Sequence, residues 1–310
     1  MKTNEEPILV AIHCLVYNHE PYLRDCFDGF VMQKTNFRFV AVVHDDCSTD
    51  HSADIIREYE AKYPDIFRPI YETENQYSKR DGSLRRIMNE AIDATGAKYI
   101  AMCEGDDYWT DPYKLQKQVD FMETHPEYSM CFHKVEVVSN IEEDLNLYGH
   151  LEEREYSAEE IYIKWTVPTC SVMYRANILP NENTSVPIIF GDIYLFLRLA
   201  EKGKIYNLNF AGAVYRRNSG GLSQQHNVQL YCHLADQYHY MEKCFPQKEL
   251  KIISRRKECN YLEQIIYAPY FEGQWKYRFR YMWLHPRLFF SSFLTTTILS
   301  YTPLRKLKHK

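Results

Sequence analysis

No apolar stretch in this sequence approaches the roughly 20 residues that a membrane-crossing helix needs, so a helical integral membrane protein is not expected. The opening residues Met1-Lys2-Thr3-Asn4-Glu5-Glu6 lack the apolar core of a signal peptide, and the expectation is a cytoplasmic chain that is not translocated. Glycine is scarce, at 11 of 310 residues, and proline numbers 13, which excludes collagen-like and linker-like chains. The nine cysteines never form CxxC and never stand at zinc-finger spacing from a histidine. Several lie inside apolar runs, as in Ala101-Met102-Cys103 and Met130-Cys131-Phe132, where a free thiol acts as a small hydrophobe. Reduced thiols follow. There is no internal repeat.

What is present is a globular composition: 45% hydrophobic and 25% charged residues exclude disorder as the main state. The length suits one large α/β catalytic domain with a small appendage. Aromatic content is high, 15%, carried by 26 Tyr and 16 Phe. Tyrosine combines a stacking face with a hydroxyl, which serves sugar or base binding, interfaces and membrane boundaries alike. The net charge of −5 conceals a division. Residues 251–310 carry twelve Lys/Arg and three Asp/Glu, leaving 25 basic against 39 acidic residues in the first 250. A basic end on an acidic body points to an anionic surface met by that end, or to a solvated helical face.

Hydrophobic periodicity predicts alternating short strands and helices. Strands are expected over Ile8 to Val16, Phe37 to Val43, Phe67 to Tyr71 and Lys98 to Cys103. Helices are expected over Tyr22 to Gln33, Ala53 to Tyr63 and Leu84 to Ala94. Continuous apolar strands with helical crossovers predict an α/β fold: a Rossmann-like parallel sheet covered on both faces. Further on, Lys114 to Glu123 and Asp192 to Lys202 read as helices, Ser129 to Ser139 and Val172 to Tyr174 as strands, and 141–160 as an acidic loop. Residues 1–226 are expected to form the catalytic domain and 227–310 a helical, basic C-terminal extension.

Polar clusters fall at three strand ends: Tyr17 to Glu20, Asp45 to Asp50, and Glu104 to Asp107. Ligands of such sheets bind beyond the carboxyl ends of the strands, so the three clusters form one candidate site. Asp106-Asp107 can hold a divalent cation against a diphosphate, or cap the next helix. Two adjacent carboxylates repel unless a cation or donors compensate, which favours the cation. Of Asp45-Asp46, one carboxylate can accept from a nucleobase or ribose while Ser48 and Asp50 cap the following helix; a purely structural turn is the alternative.

Four segments together resemble glycosyltransferase family 2: Val10-Ala-Ile-His-Cys-Leu-Val-Tyr-Asn-His-Glu, Val42-Val-His-Asp-Asp-Cys-Ser-Thr-Asp, Gly82 to Ile92, and Lys98-Tyr-Ile-Ala-Met-Cys-Glu-Gly-Asp-Asp-Tyr-Trp. The resemblance spans residues 7 to about 225 and implies the A-type fold, a nucleoside-diphosphate sugar donor, a divalent cation (Mn or Mg), and inversion at the anomeric carbon. It implies that Tyr17 stacks on the nucleobase with Glu20 beside it, and that Asp46 accepts from the base. Asp106 would bind ribose or metal, Asp107 the metal, and Arg85 or Arg86 the diphosphate. The family's general base heads a later helix, the place of Asp192 in Phe190-Gly191-Asp192, where an N-cap is the other reading. Departures are Leu15 in place of Pro, Cys47 in place of Gly, Glu104 in place of the first Asp of D-x-D-D, and Asn218 where members often have His. Arg216 and Arg217 suit a loop closing over phosphates.

The reading is a metal-dependent transferase extending a glycan, free or lipid-linked, in bacterial surface polysaccharide synthesis. Its alternatives are a non-catalytic module on the same fold and a sugar-phosphate nucleotidyltransferase, which would need a Gly-rich loop after the first strand. No nucleic-acid partner is expected, and a homo-oligomer is left open. Residues 287–310 join Phe289, Phe290, Phe293 and Leu294 to the bases Arg305, Lys306, Lys308 and Lys310. That pattern predicts an interfacial helix peripheral on the inner face of the membrane, or a helix docked on protein.

Overall fold

The computed structural model describes residues 6–139, 147–179, 187–217, 227–269 and 273–284. The chain divides into two compact units, Met1–Gln224 and Gln225–Lys310. The first begins β1 (Ile8–Val16), α1 (Leu23–Val31), β2 (Arg38–Asp45), α2 (Ser52–Lys62), β3 (Phe67–Tyr71), α3 (Gln76–Lys79), α4 (Ser83–Asp93), β4 (Tyr99–Met102) and β5 (Tyr108–Trp109). It continues with α5 (Lys114–Thr124), β6 (Tyr128–Ser139), β7 (Arg154–Glu155), α6 (Ala158–Lys164), β8 (Met173–Arg175), α7 (Gly191–Ala200) and β9 (Lys204–Arg217). In β1, Val10, Ile12 and Cys14 join one hydrophobic cluster, with Phe27, Phe30 and Trp109. Ala11 joins another, with Val40, Val42, Met88 and Ile92. Successive strand residues face opposite ways, so a strand covered on both faces must be apolar throughout. The continuous apolar runs of β1 and β2 follow.

The four strands read from the sequence as a parallel sheet are parallel, and the strands beyond them make the whole sheet mixed. Its order is β3-β2-β1-β4-β8-β6-β9-β5, with β7 pairing β9. Strands β3, β2, β1 and β4 run parallel. Strand β8 is antiparallel to both β4 and β6, β9 runs parallel to β6, and β5 and β7 lie antiparallel to β9. A strand buried on both faces has the same apolar pattern in either orientation; the connections set direction, and periodicity does not report them. The acidic stretch read as loop contains α6. Ser157 and Glu160 close a reciprocal capping box at its start.

Helix α1 packs so tightly on β5 that Gly29 has no room for a side chain: a Cβ there would lie 2.9 Å from Trp109 N and 3.0 Å from Trp109 O. Both obstacles are backbone.

The second unit holds α8 (Val228–Cys244), α9 (Lys248–Tyr267) and α10 (Gln274–Leu284). Asn227 caps α8 by accepting the Leu230 N–H at 2.8 Å. Cys232, Ala235, Leu262, Ile265, Ile266, Tyr277 and Tyr281 form its core. Among the described residues no helix is long and apolar enough to cross a membrane. The interfacial segment expected at 287–310 lies outside the described residues.

Gly29→Ala is therefore expected to destabilise the first unit by about 1–3 kcal/mol, the usual cost of overpacking, read as a lower urea midpoint with unchanged slope.

Candidate functional site

The strand-end clusters are fastened together by hydrogen bonds between side chains and main chain. After β1, Asn18 turns in the left-handed region (φ 56°). The Asn18 N–H donates to Ser48 Oγ at 2.9 Å, and the Thr49 N–H donates back to Asn18 Oδ1 at 2.7 Å. The Glu20 N–H reaches Asp50 Oδ2 at 3.0 Å, and Glu20 Oε2 accepts the His51 N–H at 3.0 Å. Ser48 thus stitches two loops together and does not cap α2, as the sequence led us to expect; Asp50 alone accepts the Ser52 N–H, at 2.9 Å. Cys47, the Gly position of related turns, is itself left-handed (φ 63°).

Asp46 is buried, and both its oxygens already accept main-chain donors, from Gln76 N–H at 2.6 Å and Tyr77 N–H at 3.0 Å. It anchors the start of α3. That short helix ends in the left-handed Arg80 (φ 57°), whose guanidinium stacks on the Tyr77 ring, 3.9 Å from its centroid. One guanidinium nitrogen, Arg80 Nη1, is buried without a hydrogen-bond partner. Burial raises the Tyr77 phenol above its usual pKa, opposed by Arg80 and assisted by Glu104 and Asp192, so α3 stands at the same edge as those acids.

The turn after β4 carries Glu104, Gly105, Asp106 and Asp107. Gly105 lies against His19 and Val16: a Cβ there would come within 2.8 Å of His19 Nδ1. Asp107 is buried and accepts the Arg216 main-chain N–H at 2.7 Å. Arg216 Nη1 donates to the Asp106 carbonyl at 3.1 Å, and its Nη2 pairs with Asp25. Burial, then the charge of Asp106, pushes the Asp107 pKa well above the carboxylate range. Glu104 stands where solvent still reaches it. Crowding by protein, then the charges of Asp106 and Asp192, raises its pKa to about 8. Asp192 lies in the first turn of α7, its Oδ1 accepting the Ile193 N–H at 2.8 Å. Removal from bulk water raises its pKa against the lowering pull of hydrogen bonds that include Ile193 and Trp165.

The structure thus gathers Glu104, Asp106, Asp107 and Asp192 within electrostatic reach of one another, with Tyr77, Tyr148, Tyr215 and Arg216 around them. Tyr17 is exposed on the β1 loop. Glu20 lines an open groove of about 480 Å³ between the starts of α1 and α2, with Arg24, His51 and Glu58. Arg86 is exposed on α4, and hydrogen bonds from Ser83 together with the charge of Arg86 lower the pKa of Asp81. Sequence reasoning missed Tyr77, Arg80, Tyr148 and Tyr215, whose spacing forms no motif. It also missed Lys114, fully buried 3.8 Å over the Trp109 ring, its pKa lowered by burial to about 7.

The donor chemistry fits a divalent cation, since like charge adds to burial in raising the proton affinities of Glu104 and Asp107. Among the described residues, however, the three-residue set with ligand atoms within 4.8 Å of one another is His239, Glu242 and Glu258 in the second unit. Arg255 pairs with that Glu242, and Arg280 with Glu258 at 3.4 Å, so cations already occupy it. The site acids are spread wider. They would offer one or two ligands and leave the remainder to phosphate oxygens, the usual arrangement for Mg²⁺.

A profile described as Glycosyl transferase family 2 matches residues 12–179, more than half of the chain. The chain belongs to glycosyl transferase family 2. Among its relatives in that family, an uncharacterized protein of Mycobacterium tuberculosis is 36% identical over 223 residues, 69% of this chain and 60% of the relative. The chain therefore spans 60% of the length of the mycobacterial relatives it matches. The Escherichia coli UDP-Glc:alpha-D-GlcNAc-diphosphoundecaprenol beta-1,3-glucosyltransferase WfaP is 28% identical over 69% of this chain and 80% of its own. In fold, the chain is similar to Staphylococcus aureus TarS 1-349 in complex with UDP-GlcNAc (TM-score 0.60, 16% identity, 83% of this chain and 72% of that one). The mixed sheet with its carboxyl-edge acids is thus the A-type architecture of the family.

The raised carboxylates carry a pH signature. Glu104 releases its proton near the ordinary glutamate value of 4.5 in the unfolded chain and near 8 in the folded one. Between those values the folded state holds more protons, so stability falls as pH rises through that window. Thermal melts of the metal-free protein are expected to show this decline, and Glu104→Gln is expected to flatten it. A melting temperature that rises over the same window would reverse the sign of the crowding argument.

Proposed function

We propose that the first unit transfers a sugar from a nucleoside diphosphate to a hydroxyl of a glycan or lipid-carrier-linked glycan, in bacterial surface polysaccharide synthesis. The observation that carries this reading is the set of crowded carboxylates, Glu104, Asp106, Asp107 and Asp192, beside a buried guanidinium nitrogen that lacks a partner. Such a set needs positive charge and can take up a proton. A nucleotide sugar with its cation, attacked by a hydroxyl, supplies both.

Asp106 and Asp107 would hold Mn²⁺ or Mg²⁺, which when bound offsets negative charge on the leaving diphosphate. We assign Arg80, rather than the exposed Arg86, to a diphosphate oxygen, with Arg216 supporting the acidic turn from behind. Tyr17 presents a ring to the nucleobase and Glu20 borders it. Asp46 acts through the loop and helix it fastens, because both its oxygens are engaged. Asp192 receives the proton of the acceptor hydroxyl; its raised pKa moves it toward working pH, where a general base is most effective. One base on the face opposite the leaving group supports a single displacement with inversion. The activity that gives WfaP its name, glucosyl transfer to a diphosphoundecaprenol-linked sugar, supports a lipid-linked acceptor and a peripheral place on the cytoplasmic membrane face.

The test is a panel of UDP-, GDP- and dTDP-sugars with Mn²⁺ or Mg²⁺, read by thermal shift and by donor turnover. A donor at 100 times its dissociation constant should add roughly 2.7 kcal/mol of stability. Neither stabilisation nor turnover with any donor would end the proposal; binding without turnover would leave a non-catalytic module. Asp107→Asn and EDTA are both expected to abolish turnover. Asp192→Asn should lower the transfer rate by on the order of 10² with donor binding retained. A lower melting temperature at unchanged rate per folded molecule would reduce Asp192 to a helix cap.

A further inference from the structure

Helix α10 buries Gln274, Tyr277 and Tyr281, which lie one turn apart and seat the helix on its own unit. The opposite side is unusual. Trp275, Phe279 and Trp283 recur every fourth residue and are 60%, 58% and 86% exposed. At 100° per residue they form one stripe on the face away from the buried tyrosines. Trp275 and Phe279 already touch edge to face, with centroids 6.0 Å apart. Three large rings held in water on one helical face are costly to leave uncovered.

Charge on the same helix narrows what covers them. Its eleven residues, Gln-Trp-Lys-Tyr-Arg-Phe-Arg-Tyr-Met-Trp-Leu, include three bases and no acid. Lys276 falls on one flank of the stripe and Arg278 on the other. Lys276 lies 3.7 Å from Asp236, and Arg280 donates to the same carboxylate at 2.8 Å. The sequence that follows, residues 285–310, adds five Lys/Arg and no Asp/Glu. Rings with an apolar body and, in Trp, a polar N–H favour the boundary between headgroups and acyl chains. Bases beside them meet anionic headgroups. A protein partner would need its own apolar groove ringed with acid; an anionic bilayer offers both features everywhere.

We propose that the Trp275–Phe279–Trp283 stripe of α10, flanked by Lys276 and Arg278, is the surface on which this chain docks to an anionic membrane. This names the contact for the peripheral location proposed above and rests on that location, but not on the donor chemistry of the first unit. Docked there, the chain would search for a lipid-linked acceptor in two dimensions.

The experiment uses the full chain with vesicles of phosphatidylglycerol and phosphatidylcholine. The chain is expected to co-sediment at low salt, to release as salt screens the headgroups, and to bind pure phosphatidylcholine at least tenfold more weakly. Trp275→Gln/Phe279→Gln/Trp283→Gln should lose binding at least tenfold while donor turnover in vesicle-free solution stays unchanged. In the unaltered chain, brominated acyl chains should quench tryptophan emission, a readout that does not depend on any variant folding. Lack of sedimentation or quenching by the unaltered chain overturns the proposal, as does a folded triple variant that binds as before. So does a dimer in solution that the triple variant converts to monomer, since a second copy would then cover the stripe. An unaltered chain that turns over donor but does not bind vesicles removes only the docking surface, whereas an unaltered chain without turnover removes the transferase reading instead.

Discussion

The Arg216 main-chain N–H donates to Asp107 at 2.7 Å, and the arrangement of the site depends on that hydrogen bond. Asp107 sits in the turn between β4, in the parallel half of the sheet, and β5. Arg216 ends β9, in the half reached through β8. A buried carboxylate without donors is costly, so the bond fixes where β9 must end relative to the acidic turn. The β5–β9 pairing, Tyr108 with Val214 and Trp109 with Ala213, holds the same register from the other side. Trp109 Nε1 then donates to the Cys170 carbonyl at 2.8 Å, which ties in the segment between α6 and β8. Because the donor is main chain, no substitution at 216 other than proline removes it.

This geometry stores like charge. Crowding these carboxylates opposes folding when they are ionised, and the charge of Asp106 adds to burial in raising the proton affinities of Glu104 and Asp107. Arg216 turns one guanidinium nitrogen to the Asp106 carbonyl and another to Asp25, and Lys114, buried over Trp109, has its Nζ unpartnered. The imbalance is what a substrate with a cation and a transferable proton would correct. Buried structure supports the turn, from the close contact of Gly105 with His19 to the tilted contact of Phe30 with Trp109, whose ring centroids lie 4.9 Å apart.

What could be read from the sequence follows from range of interaction. Strands β1, β2 and β4 are legible because burial on both faces leaves an apolar run that contains the whole signal. The acidic turn is legible because two adjacent carboxylates demand compensation wherever they stand. Strand β9 escaped notice: Asn207, Asn209 and Gly212 interrupt its pattern, and its order comes from pairing with β6, whose residues lie some 75 positions away. Arg80 was equally hidden. It reaches the site through a four-residue helix that Asp46 fastens from 30 positions upstream, and through a left-handed φ at a non-glycine residue. The twin readings of Asp45-Asp46 had the same origin. Both carboxylate uses need the same residue type, and only the positions of the Gln76 and Tyr77 N–H groups distinguish them.

The aromatic surplus, ambiguous as composition, divides by location into three physical uses. One is packing: Tyr59 lies edge-on to Phe27 at 5.2 Å, and Phe121 stacks on Tyr206 at 5.0 Å. Another is the lining of the acidic site, where Tyr148 meets Tyr215 at 5.5 Å and burial raises both phenols beyond the usual range. A neutral hydroxyl in such a place donates to an acceptor without adding charge to an already negative cleft. The last use is the outward stripe of α10, where all three rings stay more than half exposed. Charge is divided along the chain, with an excess of acids in the first 250 residues and of bases in the last sixty. An acidic surface is repelled by an anionic bilayer. In the docking proposed above, placing the bases in the unit that carries the exposed rings would let that unit be drawn to the surface against the repulsion felt by the acidic remainder.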